Sequence, residues 1–309
     1  MTPNVVVAAD GSGNYTNITE AIKAVPLNSD QSNRRFVIYV KKGVYYENVR
    51  VEKEKWNVLI YGDGMHNTIV SSNHSNQTGS STLSTATFAA YGKGFIAKDI
   101  GFVNTAGPAN HQAVALMSSS DRSVFYRCLF DGYQDTLYTH THRQFYRHHR
   151  QFYRECKIYG TTDFIFGDAA VVIQNSDILV RKPLKSKTTI VTAQGKLSPY
   201  SKTGISIQKT FLGRPWRNYS TVVVMESKLG SLIDPKGWLP WHKNTTAPDT
   251  IFYVEHGNVG PGANTDNRVK WKGLRVKDTQ NDATNFTVRS LIDGDQWLPA
   301  TGVPFQADL

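Results

Sequence analysis

The chain has 309 residues, a formal net charge of +10 and 39% hydrophobic residues, which suits one large core and points to a polyanionic partner. No apolar run approaches the roughly 18 residues of a membrane-spanning helix. Lys and Arg are dispersed, with no zinc-finger spacing, RNP-like motif or basic helix, so nucleic acid is disfavoured and an acidic polysaccharide gains. No low-complexity or Pro/Gly/Ser-rich linker divides the sequence, and residues 1–309 read as a single domain. Met1-Thr2-Pro3-Asn4 leads almost directly into Val5-Val6-Val7, so the chain reads as a mature portion without signal peptide or pro-region.

In chain order, Ile18, Ala21, Ile22 and Val25 recur at helical spacing between cap-type residues and Pro26, which predicts one short amphipathic helix within 15–25. Nearly every later segment is strand-like: Phe36–Val40, Val58–Tyr61 and Thr68–Val70 are short β-rich runs bounded by Gly, Asn, Asp or Lys. From residue 94 a pattern repeats, and Asp99, Cys128, Cys156 and Ser176 fall in one column at intervals of about 20 to 29 residues, the length of a solenoid turn. A coil that cannot bury its own inward face must stack on its neighbours. The periodicity by itself leaves a sandwich open. Seven Asn-X-Ser/Thr sequons, beginning at Asn14, Asn17, Asn73, Asn76, Asn218, Asn244 and Asn285, tilt the compartment toward secretion.

The stretch from Gln134 to Gly167 holds the chemistry-bearing residues. Asp163 sits among Phe164, Ile165 and Phe166, where desolvation raises a carboxyl's pKa unless a cation or donor holds it ionised. Asp135 lies between an amide and a hydroxyl, and two carboxyls pushed apart in this way suit an acid paired with a nucleophile or base. Gly-X-Ser-X-Gly is not found, so a serine triad lacks support. His140, His142, His148 and His149, without a carboxylate cluster beside them, fit a solvated loop better than a metal centre.

Gln134-Asp135-Thr136-Leu137 and Asp163-Phe164-Ile165-Phe166-Gly167 stand in order with Gly43-Val44-Tyr45-Tyr46-Glu47, Gln112-Ala113-Val114-Ala115-Leu116 and Leu212-Gly213-Arg214-Pro215-Trp216. This set resembles the plant-type pectin methylesterases, and the likeness runs from Asp10-Gly11-Ser12-Gly13 through Gly237-Trp238 to Trp297-Leu298-Pro299. The resemblance implies an all-β fold, a right-handed parallel β-helix, with a short N-terminal helix and a C-terminal extension packed on it. It implies demethylation of methylesterified homogalacturonan in a secreted, extracellular protein of the cell wall. Asp163 matches the nucleophile, Asp135 the acid/base, Gln112 and Gln134 the oxyanion-stabilising amides, and Arg214 the partner of the nucleophile. Trp216 matches the aromatic wall under a sugar ring and Thr82 a further substrate contact, while Tyr138, Phe166 and Trp241 are groove candidates. Tyr45 and Glu47 read as structural as much as functional. The family resemblance implies no cofactor and no metal, a monomer, and a proteinaceous pectinesterase inhibitor as partner. In stacked coils Cys128 and Cys156 fall in neighbouring turns, which leaves open a disulfide or two buried thiols.

Two features depart from the family pattern. Arg143-Gln144-Phe145-Tyr146-Arg147-His148-His149 is followed at once by Arg150-Gln151-Phe152-Tyr153-Arg154, a tandem duplication. An odd shift along a strand would turn every side chain to the other face, so one copy must loop out; the second, running into Glu155-Cys156, is expected to hold the strand while 142–149 bulge near the cleft. Between Gln208 and Phe211, relatives carry most of another strand and loop, so a coil here is expected to be incomplete. Two readings compete with the esterase: a wall-binding β-helix whose altered loops spoil turnover, and a polysaccharide lyase or glycosidase, since paired aspartates suit glycoside hydrolysis. The Gln112, Gln134 and Arg214 set argues against the latter.

Overall fold

The computed structural model describes residues 2–27, 34–79, 81–141, 149–184, 188–206, 211–242 and 245–309. Strands of two to five residues stack into three sheets in which every pairing is parallel. Among the described residues the first sheet has eleven strands, the second six and the third seven. One coil visits each in turn: Ser123–Tyr126 lies in the first sheet, Leu129–Asp131 in the second and Leu137–Thr139 in the third. The next coil repeats this with Arg150–Arg154, Lys157–Gly160 and Ile165–Gly167. Such short strands cannot bury an apolar face alone, so their stability comes from the coils above and below.

Inside the cylinder, side chains in register form ladders. Phe125 stacks on Tyr153 at 4.8 Å and Phe102 on Phe130 at 5.8 Å, an offset-ring packing that adds to area burial. The step from first to second sheet is a single left-handed residue in successive coils: Asp99, Arg127, Glu155 and Asn175 all have φ between 51° and 53°. Lys98, Tyr126, Arg154 and Gln174 are in register just before them. The column containing Cys128 and Cys156 therefore includes Ile100 rather than Asp99, a correction of one residue to the sequence overlay. Repetition of polar residues set the period, and the left-handed turn fixed the phase.

The two cysteines are free and fully buried. Cys128 Sγ lies 3.5 Å from the Ala97 carbonyl oxygen and Cys156 Sγ 3.4 Å from that of Phe125. Of the two alternatives left open by the sequence, the structure holds the stacked thiols. Burial pushes the Cys128 thiol well above its usual pKa, which keeps it protonated and unreactive.

The N-terminal helix, Ile18–Lys23, is shorter than its apolar pattern and buries Ile18, Ala21 and Ile22 against the core. Its first amides, Ile18 and Thr19, donate to Glu47 at 2.7 and 2.8 Å, and Tyr45 donates its buried hydroxyl to the Lys41 carbonyl at 2.9 Å. Glu47 and Tyr45 thus work as scaffold. At the other end of the chain, Val288, Ile292, Trp297, Leu298 and Val303 pack on Ile96, Val124, Phe152 and Val172 of the first sheet, so the C-terminal extension covers that sheet's outer face.

The second copy of the duplicated segment, Arg150–Arg154, is the strand, paired with Ser123–Tyr126 and Ala170–Gln174 as expected. The expected bulge of the first copy, with His142 and His148, lies outside the described residues. After Gly204–Ser206 in the first sheet, the next described strand is Phe211–Pro215 in the third. Among the described residues the second sheet ends at Asp177–Val180, so this coil lacks its second-sheet strand there. Clefts of about 460 and 630 Å³ open beside that last strand, reached by Ile178 and Val180.

Candidate active site

The third sheet positions the chemistry-bearing residues. Leu137, Ile165, Thr192 and Gly213 point inward in one register. Their neighbours Tyr138, Phe166, Ala193 and Arg214 form a parallel column on the outer face, since alternate side chains of a strand face opposite ways. Gly213 is required there because a Cβ would lie 1.9 Å from Thr192 Oγ1. Arg214 reaches past the small Ala193 toward the turn before Ile165–Gly167, where Asp163 stands.

Asp163 is 6% exposed and left-handed, with φ of 50°. Arg214 grips it with one edge of the guanidinium, Nε donating to Oδ1 at 2.9 Å and Nη2 to Oδ2 at 2.5 Å. Burial pushes the Asp163 carboxyl above the usual carboxylate range, and the hydrogen bonds and charge of Arg214 pull part of the way back. The sequence expectation that the arginine opposes desolvation holds, although burial is the larger effect. Asp135 occupies the equivalent turn of the neighbouring coil: it is 8% exposed, has φ of 66°, and its amide donates to the Thr162 carbonyl at 3.1 Å. Parallel strands lie about 4.8 Å apart, so the two aspartates stand one coil apart at matching positions. Left-handed backbone costs an ordinary residue about 1–2 kcal/mol, and aspartate is among the few that adopt it routinely.

Gln134, beside Asp135 in the same coil, meets Gln112 of the preceding coil as a parallel bridge, and the Ala113 amide donates to the Gln134 carbonyl at 3.1 Å. Both are half-buried at the edge of the same face. Thr82 begins the short turn Thr82–Thr85; Thr85 Oγ1 donates to the Thr82 carbonyl at 2.8 Å and accepts from the Val114 amide at 3.1 Å. That contact ties the Thr82 turn to the Gln112 segment.

Aromatic rings pack together on the face beside these groups. Tyr138 stacks on Phe166 at 4.2 Å, Trp216 meets Phe166 edge-on at 6.3 Å, and Trp216 and Trp241 lie 6.5 Å apart. Trp216 lies over Gly195, where a Cβ would come within 2.6 Å of the indole. Arg217 stands over the Trp216 ring at 5.2 Å. Trp241, a groove candidate from sequence, has a closer relation: its ring lies 4.1 Å from the Arg214 guanidinium and its carbonyl accepts from Arg214 Nη1 at 3.3 Å. The sequence offered no signal for that pairing beyond the preceding Gly237-Trp238.

The described histidines differ from the solvated-loop expectation. His140 and His149 are half-buried, and Ser119 Oγ lies 3.1 Å from His140 Nδ1 and 3.5 Å from His149 Nδ1. Next to His149, Arg150 is anchored to Asp121, its Nη2 at 2.8 Å from Oδ2. No group of three or more His, Cys, Asp or Glu side chains suited to a metal ion occurs among the described residues.

A solenoid bearing an arginine-gripped carboxylate beside a second carboxylate, on a face lined by aromatic rings, defines a class of β-helical proteins with a buried acid pair beside an aromatic surface. A sequence model of the pectinesterase family matches residues 4–295, and the chain belongs to that family. It is 54% identical over 317 residues to probable pectinesterase/pectinesterase inhibitor 46 of Arabidopsis thaliana, covering 98% of this chain and 54% of that protein. With pectinesterase 3 of Phaseolus vulgaris the identity is 51% over 321 residues, covering 100% of this chain and 54% of the other. The chain thus spans about half the length of the curated relatives it matches. Among solved structures, pectin methylesterase from carrot is 48% identical with a TM-score of 0.94, covering 100% of this chain and 99% of that one. Pectin methylesterase from Aspergillus niger is 25% identical with a TM-score of 0.77, covering 97% of each chain. The fold is the right-handed parallel β-helix of these neighbours.

Proposed function

We propose that the chain is a carboxylic ester hydrolase that demethylates methylesterified homogalacturonan, giving pectate and methanol. The observation that carries this reading is the two-bond grip of Arg214 on the buried Asp163 carboxylate, one coil from Asp135. The identities of its relatives as pectinesterase and pectin methylesterase support it.

In this mechanism the Asp163 carboxylate attacks the C6 carbonyl carbon. A new Oδ–C bond forms while the carbonyl electron pair moves onto oxygen, and the Gln112 and Gln134 amide N–H groups receive the oxyanion. As the intermediate collapses, the C–OCH3 bond breaks and the Asp135 acid transfers its proton to the departing methoxy oxygen. Methanol leaves, and an anhydride joins Asp163 to the sugar. Asp135, now a base, takes a proton from water, whose oxygen attacks the same carbon and expels the Asp163 carboxylate. The product leaves as the galacturonic acid, both aspartates are restored, and the acid gives its proton to solvent. Trp216, Tyr138 and Phe166 offer apolar ring faces to the C–H faces of the pyranose units, with Thr82 as a further contact. The net charge of +10 favours an acidic polymer.

Residues 1–309 act, in this reading, as one catalytic domain of a monomeric protein secreted to the extracellular cell wall. The double names of its relatives support a pectinesterase inhibitor as partner. Among the described residues no helix is long and apolar enough to cross a membrane.

Methanol release from methylesterified pectin is the test. Wild-type protein is expected to release methanol, and Asp163→Ala and Asp135→Ala to abolish release while keeping the far-UV CD spectrum. Full activity in either variant refutes the assignment. Pectin binding without methanol favours instead a wall-binding β-helix, a reading prompted by the tandem duplication at 143–154 and the shortened segment before Phe211 in the sequence. Shortened chains or unsaturated ends would indicate a glycosidase or lyase.

A further inference from the structure

Arg214 is itself held in place from a distance. Its guanidinium has Asp163 at one edge, the Trp241 ring against its face at 4.1 Å, and the Trp241 carbonyl at Nη1. The main chain leading into Arg214 is clamped to the segment that presents Trp241. The Leu212 amide donates to the Gly237 carbonyl at 2.7 Å, the Leu239 amide donates to the Gly213 carbonyl at 3.1 Å, and Gly213 bridges Trp238.

Trp238 is the root of that segment. Its indole is fully buried, packs on Tyr253 at 4.4 Å and donates Nε1–H to Glu255 Oε1 at 3.0 Å. Both Glu255 oxygens are also gripped by Arg268, at 2.8 and 3.0 Å, and Arg268 donates on to the carbonyls of Gly262 and Pro235. The two charged side chains are 1% and 2% exposed. A buried, fully bonded ion pair of this kind need not add net stability over an apolar pair, but it fixes geometry, because any displacement strands a desolvated charge.

We propose that Trp241, anchored through Trp238 on the buried Glu255–Arg268 pair, is a positioning residue that sets Arg214 against Asp163. The assignment concerns the site rather than the last coils' stability, because it predicts an effect on Asp163 from residues that do not touch it. The inference rests on the esterase reading for its kinetic test and is independent of it for its titration test.

The titratable and charged groups around Asp163 are Arg214, one coil away Asp135, and Tyr253 beneath Trp238, whose hydroxyl is affected by the Asp163 charge. In Trp241→Leu the guanidinium loses its facing ring, so its hold on Asp163 loosens. A carboxyl-selective NMR titration, assigned with Asp163→Asn, is expected to move Asp163 to higher pKa in Trp241→Leu. Trp238→Phe, which removes only the indole N–H, is expected to move it less in the same direction. In methanol-release kinetics, kcat of Trp241→Leu is expected to fall by about tenfold while KM stays within about twofold. Trp241→Phe, which keeps a ring over Arg214, should restore most of the loss. In an Arg214→Lys background, Trp241→Leu should add little, since both act on one contact.

An unchanged Asp163 titration in Trp241→Leu overturns the inference, as does a rise in KM with kcat unaltered, which would make Trp241 a groove wall only. Should Trp241→Leu not fold, the Asp163 titration of Trp238→Phe decides in the same way. Wild-type protein that releases no methanol ends the esterase reading and leaves the titration to decide this one.

Discussion

Arg214 and Asp163, 51 positions apart in sequence, share two parallel hydrogen bonds across an intervening coil. The fork matters because a planar guanidinium fixes both carboxylate oxygens at once, whereas an ammonium binds as a single point. Arg214→Lys is therefore expected to keep the charge and lose the orientation. With Asp163 as nucleophile, misplacement of about 1 Å costs on the order of a hundredfold in rate. Initial-rate measurements at saturating pectin should show that loss in kcat with a smaller change in KM.

Acidity should affect activity and stability in opposite senses at Asp163. Its carboxyl is held above the ordinary value of 3.8, chiefly by burial, so the acid limb of kcat/KM should lie above 3.8, where the anion first forms. A carboxyl whose native pKa is raised binds its proton more tightly folded than unfolded. Its contribution to stability is complete below the unfolded pKa and is lost as pH rises through the native one. Comparing thermal melts of wild type and Asp163→Asn from about pH 3 to 7 checks the sign: the wild type should gain on the variant as the solution is acidified.

Phe152, from the second duplicated copy, is fully buried between the first sheet and the C-terminal extension. Truncation to Ala should cost about 3–5 kcal/mol, the usual loss for a buried phenylalanine. Denaturant unfolding measures it. A loss below 1 kcal/mol would mean that Phe152 does not hold the strand.

The thiols give a chemical check on the core. Cys128 and Cys156 are free and buried, so reductant should leave the melting temperature unchanged. A thiol reagent should find two groups after denaturation and almost none before it.

How much of this was legible in the sequence depended on the kind of signal. Asp135, Asp163 and Arg214 stood in motifs whose order carried the family resemblance, and the stacking of coils was visible as a period. The phase of that period was not, because the left-handed residue at each turn is Asp, Arg, Glu or Asn in successive coils, with no shared chemistry to mark it. Ile18–Lys23 came out shorter than its apolar pattern because Val25 is buried beyond the last helical turn, so burial outlasted the helix. The Glu255–Arg268 pair was invisible for another reason: two charged residues 13 apart in a polar stretch look solvated until the fold closes around them.

After Gly204–Ser206, the next described strand, Phe211–Pro215, still delivers Arg214 opposite Ala193. Position along this cylinder is counted in rungs, like floors in a stairwell, and not in contour length between landings. The side that bears the second sheet can therefore gain or lose peptide while the face with Asp163 keeps its alignment. The clefts beside Asp177–Val180 mark where new sequence could be grafted with least disturbance to the chemistry.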